Sequence, residues 1–133
     1  MFERFGQASL RVLRVAEQEC RNHNHYYVGA EHLMVALLEE RDPQILHDLD
    51  ADGIDVRELH ADVRRHLGAG EDRLWEGILV TPRVRKIICL AEGYAGDSAV
   101  EPAHLLRALR AEGGSLAAEI LRRSGIRNSA AGS

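Results

Sequence analysis

The chain has 133 residues, of which 45% are apolar, 29% charged and only 5% aromatic, and its formal net charge is -4 at pH 7. That length suits one domain burying roughly two-thirds of its unfolded surface, and the aliphatic bias favours packed helices. Lys86 is the one lysine among the basic residues, and the acidic balance excludes the basic footprint of a nucleic-acid binder.

Apolar periodicity and stop signals divide the chain into seven helices, roughly 5–21, 30–41, 43–51, 55–67, 82–95, 102–112 and 115–124. Asp42-Pro43 and Thr81-Pro82 each read as an N-cap followed by proline at the first helical position, where its missing N–H is not needed, and Glu101-Pro102 is a weaker version. Gly53-Ile54 and Gly125-Ile126 read as left-handed helix ends with a following apolar contact, and Gly68 closes another helix. Val56, Leu59, Val63 and Leu67 form the apolar stripe of the fourth helix. No period-two strand stands out, although Ile78, Leu79 and Val80 form a short apolar run. Residues 69–80 break the periodicity, and Trp75 is expected to dock on the surface there.

The second half repeats the first. Arg11, Val12, Leu13, Val15, Ala16 and Glu17 are answered 75 positions on by Lys86, Ile87, Ile88, Leu90, Ala91 and Glu92. Val28, His32, Leu33, Ala36, Leu37, Glu40, Leu49, Gly53 and Ile54 are answered 72 positions on by Val100, His104, Leu105, Ala108, Leu109, Glu112, Leu121, Gly125 and Ile126. Preserved order, two stable offsets and the repeated His-Leu and Gly-Ile pairs indicate duplication rather than a shared helical rhythm. The fold class that follows is all-α, with two pseudo-twofold repeats of a helical bundle and the second lacking its last helix. One domain is expected over 1–126, with repeat 1 at about 2–68, a linker at 69–80, repeat 2 at about 81–126 and a flexible tail over 127–133.

The chemistry-bearing residues mostly have structural readings. Cys20 and Cys89 lie far apart, without metal spacing or a disulfide framework, and are read as reduced thiols. Seven histidines, His23 and His25 among them, match no zinc spacing, so no metal and no cofactor are expected. His32 and His104, at equivalent helix starts, are expected to hydrogen-bond between helices. Ser9 has no sequence-arranged base to activate it. Arg83, Arg85 and Lys86 form a positive run at a helix start, readable as a solvated face or as a contact for an acidic partner. No phosphate-binding Gly-x-x-x-x-Gly-Lys-[Ser/Thr] loop occurs, so the chain carries no ATPase motor of its own. The N-terminus has no leader-like apolar stretch and no run spans a bilayer, so the expectation is a cytoplasmic protein that is not an enzyme and binds neither membrane nor nucleic acid.

The opening Met1-Phe2-Glu3-Arg4-Phe5, the segment Val28-Gly29-Ala30-Glu31-His32-Leu33 and Thr81-Pro82-Arg83, set in a duplicated helical unit, resemble the Clp N-terminal (Clp repeat) domain. This module stands in front of the ATPase rings of Clp-type AAA+ unfoldases, and the likeness is to the ClpC branch. The resemblance implies a protein- and peptide-binding module whose partners are a Clp-type unfoldase, its adaptors or its substrates. It further implies a ligand surface where the first helices of the two repeats meet, the docking site of cyclic peptide antibiotics in actinobacterial relatives. The residues falling there are Phe2, Leu10, Leu13, Val80, Arg85 and Cys89, with Val80 in place of a common aromatic, Leu10 in place of an arginine and Cys89 in place of a glutamate. In some ClpC-type domains a glutamate of each repeat helps bind phosphorylated arginine. The first copy keeps it as Glu31, whereas the second has Ala103, and a carboxylate in a first helical turn is also favoured by the helix dipole alone. The expected role is regulation of Clp proteolysis or sequestration of Clp-directed cyclic peptides by a natural short protein. The alternatives are a substrate-receiving domain cut from a longer unfoldase and, from another class, a small hydrolase or transferase.

Overall fold

The computed structural model describes residues 2–23, 25, 27–67 and 80–132, the last seven as backbone only. Seven helices are assigned among them: α1 (Gln7–Asn22), α2 (Ala30–Glu40), α3 (Pro43–Ala51), α4 (Val56–Arg65), α5 (Pro82–Ala95), α6 (Pro102–Glu112) and α7 (Leu116–Gly132). The expected linker over 69–80, with Trp75, lies outside the described residues apart from Val80.

The helix starts have the chemistry their sequences announce. Asp42 accepts from the amides of Gln44 and Ile45, Asp55 from those of Arg57 and Glu58, Thr81 from Val84 and Ser115 from Ala118, satisfying first-turn N–H groups that have no intrahelical partner. α2 is buried all round, from His32 to Leu38, and packs against α1, α4, α6 and α7, which makes it the centre of the core. α6 is its counterpart, packing on α5, with Leu105, Ala108 and Leu109 fully buried.

The duplication appears in the backbone as reciprocal pairing. Phe5 bridges Val100 and Val28 bridges Val80, each in parallel. Because Phe5 is the repeat mate of Val80, and Val28 of Val100, exchanging the two copies turns one bridge into the other. The hydrogen bonds follow: Gly6 N–H donates to the Val100 carbonyl at 3.0 Å, and its mate Thr81 N–H to the Val28 carbonyl at 3.1 Å. These are isolated bridges, so the class remains all-α. The seam is completed by α2 and α3 on α6 and by α2 and α4 on α7.

Two expectations are corrected. Glu101 makes no side-chain cap of α6, and among the described residues neither His32 nor His104 bonds to another helix. Instead Nδ1 of His32 accepts from the Gly29 amide at 2.8 Å, and Nδ1 of His104 from the Glu101 amide at 2.9 Å. Each ring reaches back to the N-cap of its own helix, in the way a capping-box glutamate does.

A third correction concerns the paired glycines. Gly53, at φ 71°, does end α3: its amide donates to Asp50 and the Ile54 amide to Leu49, as in a Schellman turn. At Gly125 α7 continues to Gly132 instead. A Cβ there would lie 3.8 Å from Ile54 Cδ1, so this glycine sits where the turn of the first repeat approaches the helix of the second. The flexible tail expected over 127–133 falls on residues described only as helical backbone to Gly132. Opposite effects of one substitution follow. Gly53→Ala is expected to destabilise by about 1 kcal/mol or more through left-handed strain, and Gly125→Ala to stabilise by about 0.5–1 kcal/mol as a helix-interior replacement without a clash. Urea midpoints of the two variants check the signs, and equal signs would mean that Gly125 is a helix end after all.

Candidate functional site

The residues expected to form the ligand surface divide by depth. Phe2 is half-buried, its ring edge-on to Phe5 at 5.5 Å between centroids. The segment around it is pinned to the other repeat: Arg4 lies at the C-terminal end of α5, where its guanidinium donates to the carbonyls of Glu92, Gly96 and Ser98. A cation at that helix end is favoured by the dipole. Leu10 on α1 is half-buried, while Arg85 and Cys89, one turn apart on α5, are exposed. Leu10 and Arg85 are repeat mates, so equivalent places on the two first helices carry an apolar and a basic group. Leu13 and Val80 are only 4% and 5% exposed. They belong to the core, which leaves Phe2, Leu10, Arg85 and Cys89 as the members of the set that reach the surface. Arg83, from the same positive run, bonds the Gly114 carbonyl and lies near Glu112, tying α5 to the α6–α7 loop.

Glu31 is half-buried in the first turn of α2, and its mate Ala103 has no carboxylate. Beside Glu31 runs a polar chain that sequence reasoning did not assemble. Glu19, buried on α1, accepts from Arg64 Nε of α4 at 2.9 Å and meets His23 Nε2 at 3.0 Å. His23 stacks on His25, and His25 Nδ1 meets His32 Nε2 at 2.6 Å. Because His32 Nδ1 accepts from Gly29, neutral His32 must carry its proton on Nε2 and donate it to His25. A further proton on His32 would face the Gly29 N–H. Burial, and then the neighbouring His25 and His23, push the pKa of His32 down to about 4, and burial also lowers that of His25. Cys20, below this chain, donates to the His25 carbonyl, and burial raises its thiol to about 11, so it is a packed thiol rather than a reactive one. Ser9, buried, donates to the Val100 carbonyl at 2.7 Å, a structural role. Among the described residues no group of three or more His, Cys, Asp or Glu could hold a metal, and no helix is long and apolar enough to cross a membrane.

A further feature lies on the seam. A cleft of about 760 Å³ opens between the α3–α4 turn (Ala51, Asp52, Gly53, Ile54) and Arg110, Ala118, Leu121, Arg122 and Gly125. It adjoins one of about 440 Å³ between α3 (Asp48, Ala51, Asp52) and α6 (Ala103, His104, Leu106, Arg107, Arg110). Arg110 reaches Asp52 at 2.8 Å across their common wall. Together they form one trough over α3 and α6, which includes neither Glu31 nor any residue of the expected ligand surface. The signal was in the repeat comparison: buried Val35 and Leu38 of α2 have Arg107 and Arg110 as mates on α6.

A family model described as the Clp repeat (R) N-terminal domain matches residues 4–122. The chain is 30% identical over 128 residues to the chloroplastic chaperone protein ClpC of Pisum sativum, an alignment covering 94% of this chain and 14% of that protein. It is 30% identical over 129 residues to the chaperone protein ClpB of Oceanobacillus iheyensis, covering 95% and 16%. The chain therefore spans a small fraction of the length of these relatives. Among solved structures, the N-terminal domain of ClpD from Arabidopsis thaliana superposes with a TM-score of 0.71 at 20% identity, covering 98% of this chain and 93% of that one. The Hsp104 N-terminal domain from Candida albicans gives 0.66 at 16% identity, covering 93% and 90%. At these identities the structural likeness establishes the fold.

Proposed function

The chain belongs to the Clp repeat N-terminal domain family, and from that premise we propose that it is a non-catalytic module that binds the substrates or adaptors of a Clp-type unfoldase. The observation that carries this reading is the family match across both repeats, from residue 4 to residue 122. The relatives are chaperones and ATP-binding subunits in which this region is a small part, and no phosphate-binding loop occurs in the present sequence.

The binding face is the rim formed by Phe2, Leu10, Arg85 and Cys89. Phe2 supplies an aromatic anchor already held against Phe5, so little side-chain freedom is lost when a ligand covers it. Arg85 supplies the polar end, and Glu31 is a second, separate contact of phosphoarginine type. A face of this kind suits extended or cyclic apolar peptides, and the finer role is regulation of Clp proteolysis or sequestration of Clp-directed cyclic peptides in a cytoplasmic setting.

Titration of the purified protein with a Clp-directed cyclic peptide, followed by amide spectra, tests the face. Shifts are expected at Leu10, Arg85 and Cys89, with affinity at least tenfold weaker, about 1.4 kcal/mol or more, in Phe2→Ala, as for loss of an anchor residue. No heat and no shifts would remove the sequestration role. Affinity capture with wild type beside Phe2→Ala tests the broader reading: Clp subunits, adaptors or substrates should be retained by the first and lost by the second. Capture of none of these would overturn it.

A further inference from the structure

We propose that the trough over α3 and α6 is a docking berth for one helix of a partner protein, a helix that presents carboxylates to Arg107 and Arg110. The first repeat supplies the precedent for the shape of the occupant. There α4 lies over α2 and packs on α7. Exchange of the two repeats turns α2 into α6 and the start of α7 into α3, so the same berth in the second repeat lies over α6 and α3, where the trough is found. A second copy of α4 would begin at residue 128, 72 positions after Val56, and α7 runs straight through that point without the turn that Gly53 makes in the first repeat.

Charge identifies the occupant. In the first repeat the berth is apolar and acidic and its helix is basic: His60 of α4 meets Glu39 at 2.9 Å, and Arg64 donates to Glu19 at 2.9 Å. The mates of Glu39 and Glu19 are Ala111 and Tyr94, so both acidic anchors are gone from the second berth. In place of Val35 and Leu38, both buried, stand Arg107 and Arg110, both exposed. Leu38 lines one surface pocket together with Val56 and His60 of α4. The second berth thus carries Arg107 and Arg110 where the first is apolar, over a floor of Leu106, Ala103 and Ala51, with Asp48 and Asp52 confined to its α3 wall. Arg107 is held over the Tyr94 ring at 4.0 Å, and Arg110 spans the trough to Asp52. An incoming carboxylate competes with Asp52 for Arg110, while Asp48 and Asp52 on the α3 wall favour a neutral or basic flank on that side of the helix. Residues 103–110 present about two helical turns, the length of a short amphipathic helix read at every third or fourth residue.

The probe is a lactam-locked helical peptide with the α4 stripe of Val56, Leu59 and Val63 and the changes Arg57→Glu, Arg64→Glu and Arg65→Glu, titrated into the full chain. Saturable amide shifts are expected over residues 103–110 and 48–52, with affinity at least tenfold weaker in Arg107→Glu and also weaker in Arg110→Gln, which removes charge without repelling Asp52. Melting curves of both variants confirm that they fold. The same peptide with its native arginines is expected to bind at least tenfold more weakly. Equal binding of the two peptides, unchanged affinity in a folded Arg107→Glu, or shifts confined to Phe2, Leu10 and Arg85 would each overturn the proposal; the last would leave the peptide-binding face intact.

Discussion

Leu105→Ala and its repeat mate Leu33→Ala are each expected to lower the unfolding free energy by about 2–5 kcal/mol, the range for truncating a buried leucine. Leu105 is fully buried and Leu33 is 3% exposed. Each follows the histidine that reaches back to its own N-cap, so the repeated His-Leu pair joins two functions one residue apart: the ring satisfies the helix start and the leucine enters the core. Such a loss is a large share of the stability of a domain this size. The unfolding should remain one transition in both variants, because the central helices α2 and α6 touch each other and the reciprocal bridges cross the seam. Urea denaturation followed by far-ultraviolet dichroism and by amide spectra of each repeat would measure both. If Leu105→Ala melted the second repeat while the first stayed folded, the copies would be separate units and the seam a weak contact.

The parts of this fold that were legible in the sequence are those that local chemistry decides. Asp42-Pro43 and Thr81-Pro82 start helices because a side-chain acceptor and a fixed φ act within one turn. Gly53 ends one because the bonds of a Schellman turn lie within six residues. The repeat itself was legible because homologous cores keep the same apolar positions. Gly125 was misread because a glycine that ends a helix and one that admits a neighbour carry the same letter, and the difference is Ile54, more than seventy positions away. The histidines were misread for a similar reason, since a ring can face a neighbouring helix or its own N-cap and the spacing alone fits both. In the candidate ligand surface, Leu13 and Val80 turned out to be core residues, Val80 because it pairs with Val28 across the seam. The trough stayed hidden because it is shaped by the turn that α7 does not make.

Acidification from pH 7 to pH 4 is expected to remove about 3 kcal/mol of stability through His32 alone. The sign follows from the direction of the shift. His32 titrates near 6.5 in the unfolded chain and near 4 in the folded one, so between those values the unfolded state holds the extra proton and stability rises with pH. The full contribution is present above about pH 6.5, declines as the pH falls towards 4, and changes no further below that, where both states are protonated. A difference of about 2.5 units corresponds to about 3 kcal/mol. The groups facing this ring are His25 and His23 from the α1–α2 connection and Glu19 from α1, the last held by Arg64 of α4. His25 is shifted in the same direction and adds to the slope. His32→Gln separates the ring from the general acid lability of the carboxylates, because a glutamine at the third helical position can still accept from the Gly29 amide. The variant is expected to be somewhat less stable at pH 7, since it loses the link to His25, and to lose less than the wild type between pH 6.5 and 4, so that the two stability curves converge in acid. Parallel curves would show that the histidine chain is not the element that acid opens first, and the coupling between the end of α1 and the start of α2, beside Glu31, would then have to rest on packing alone.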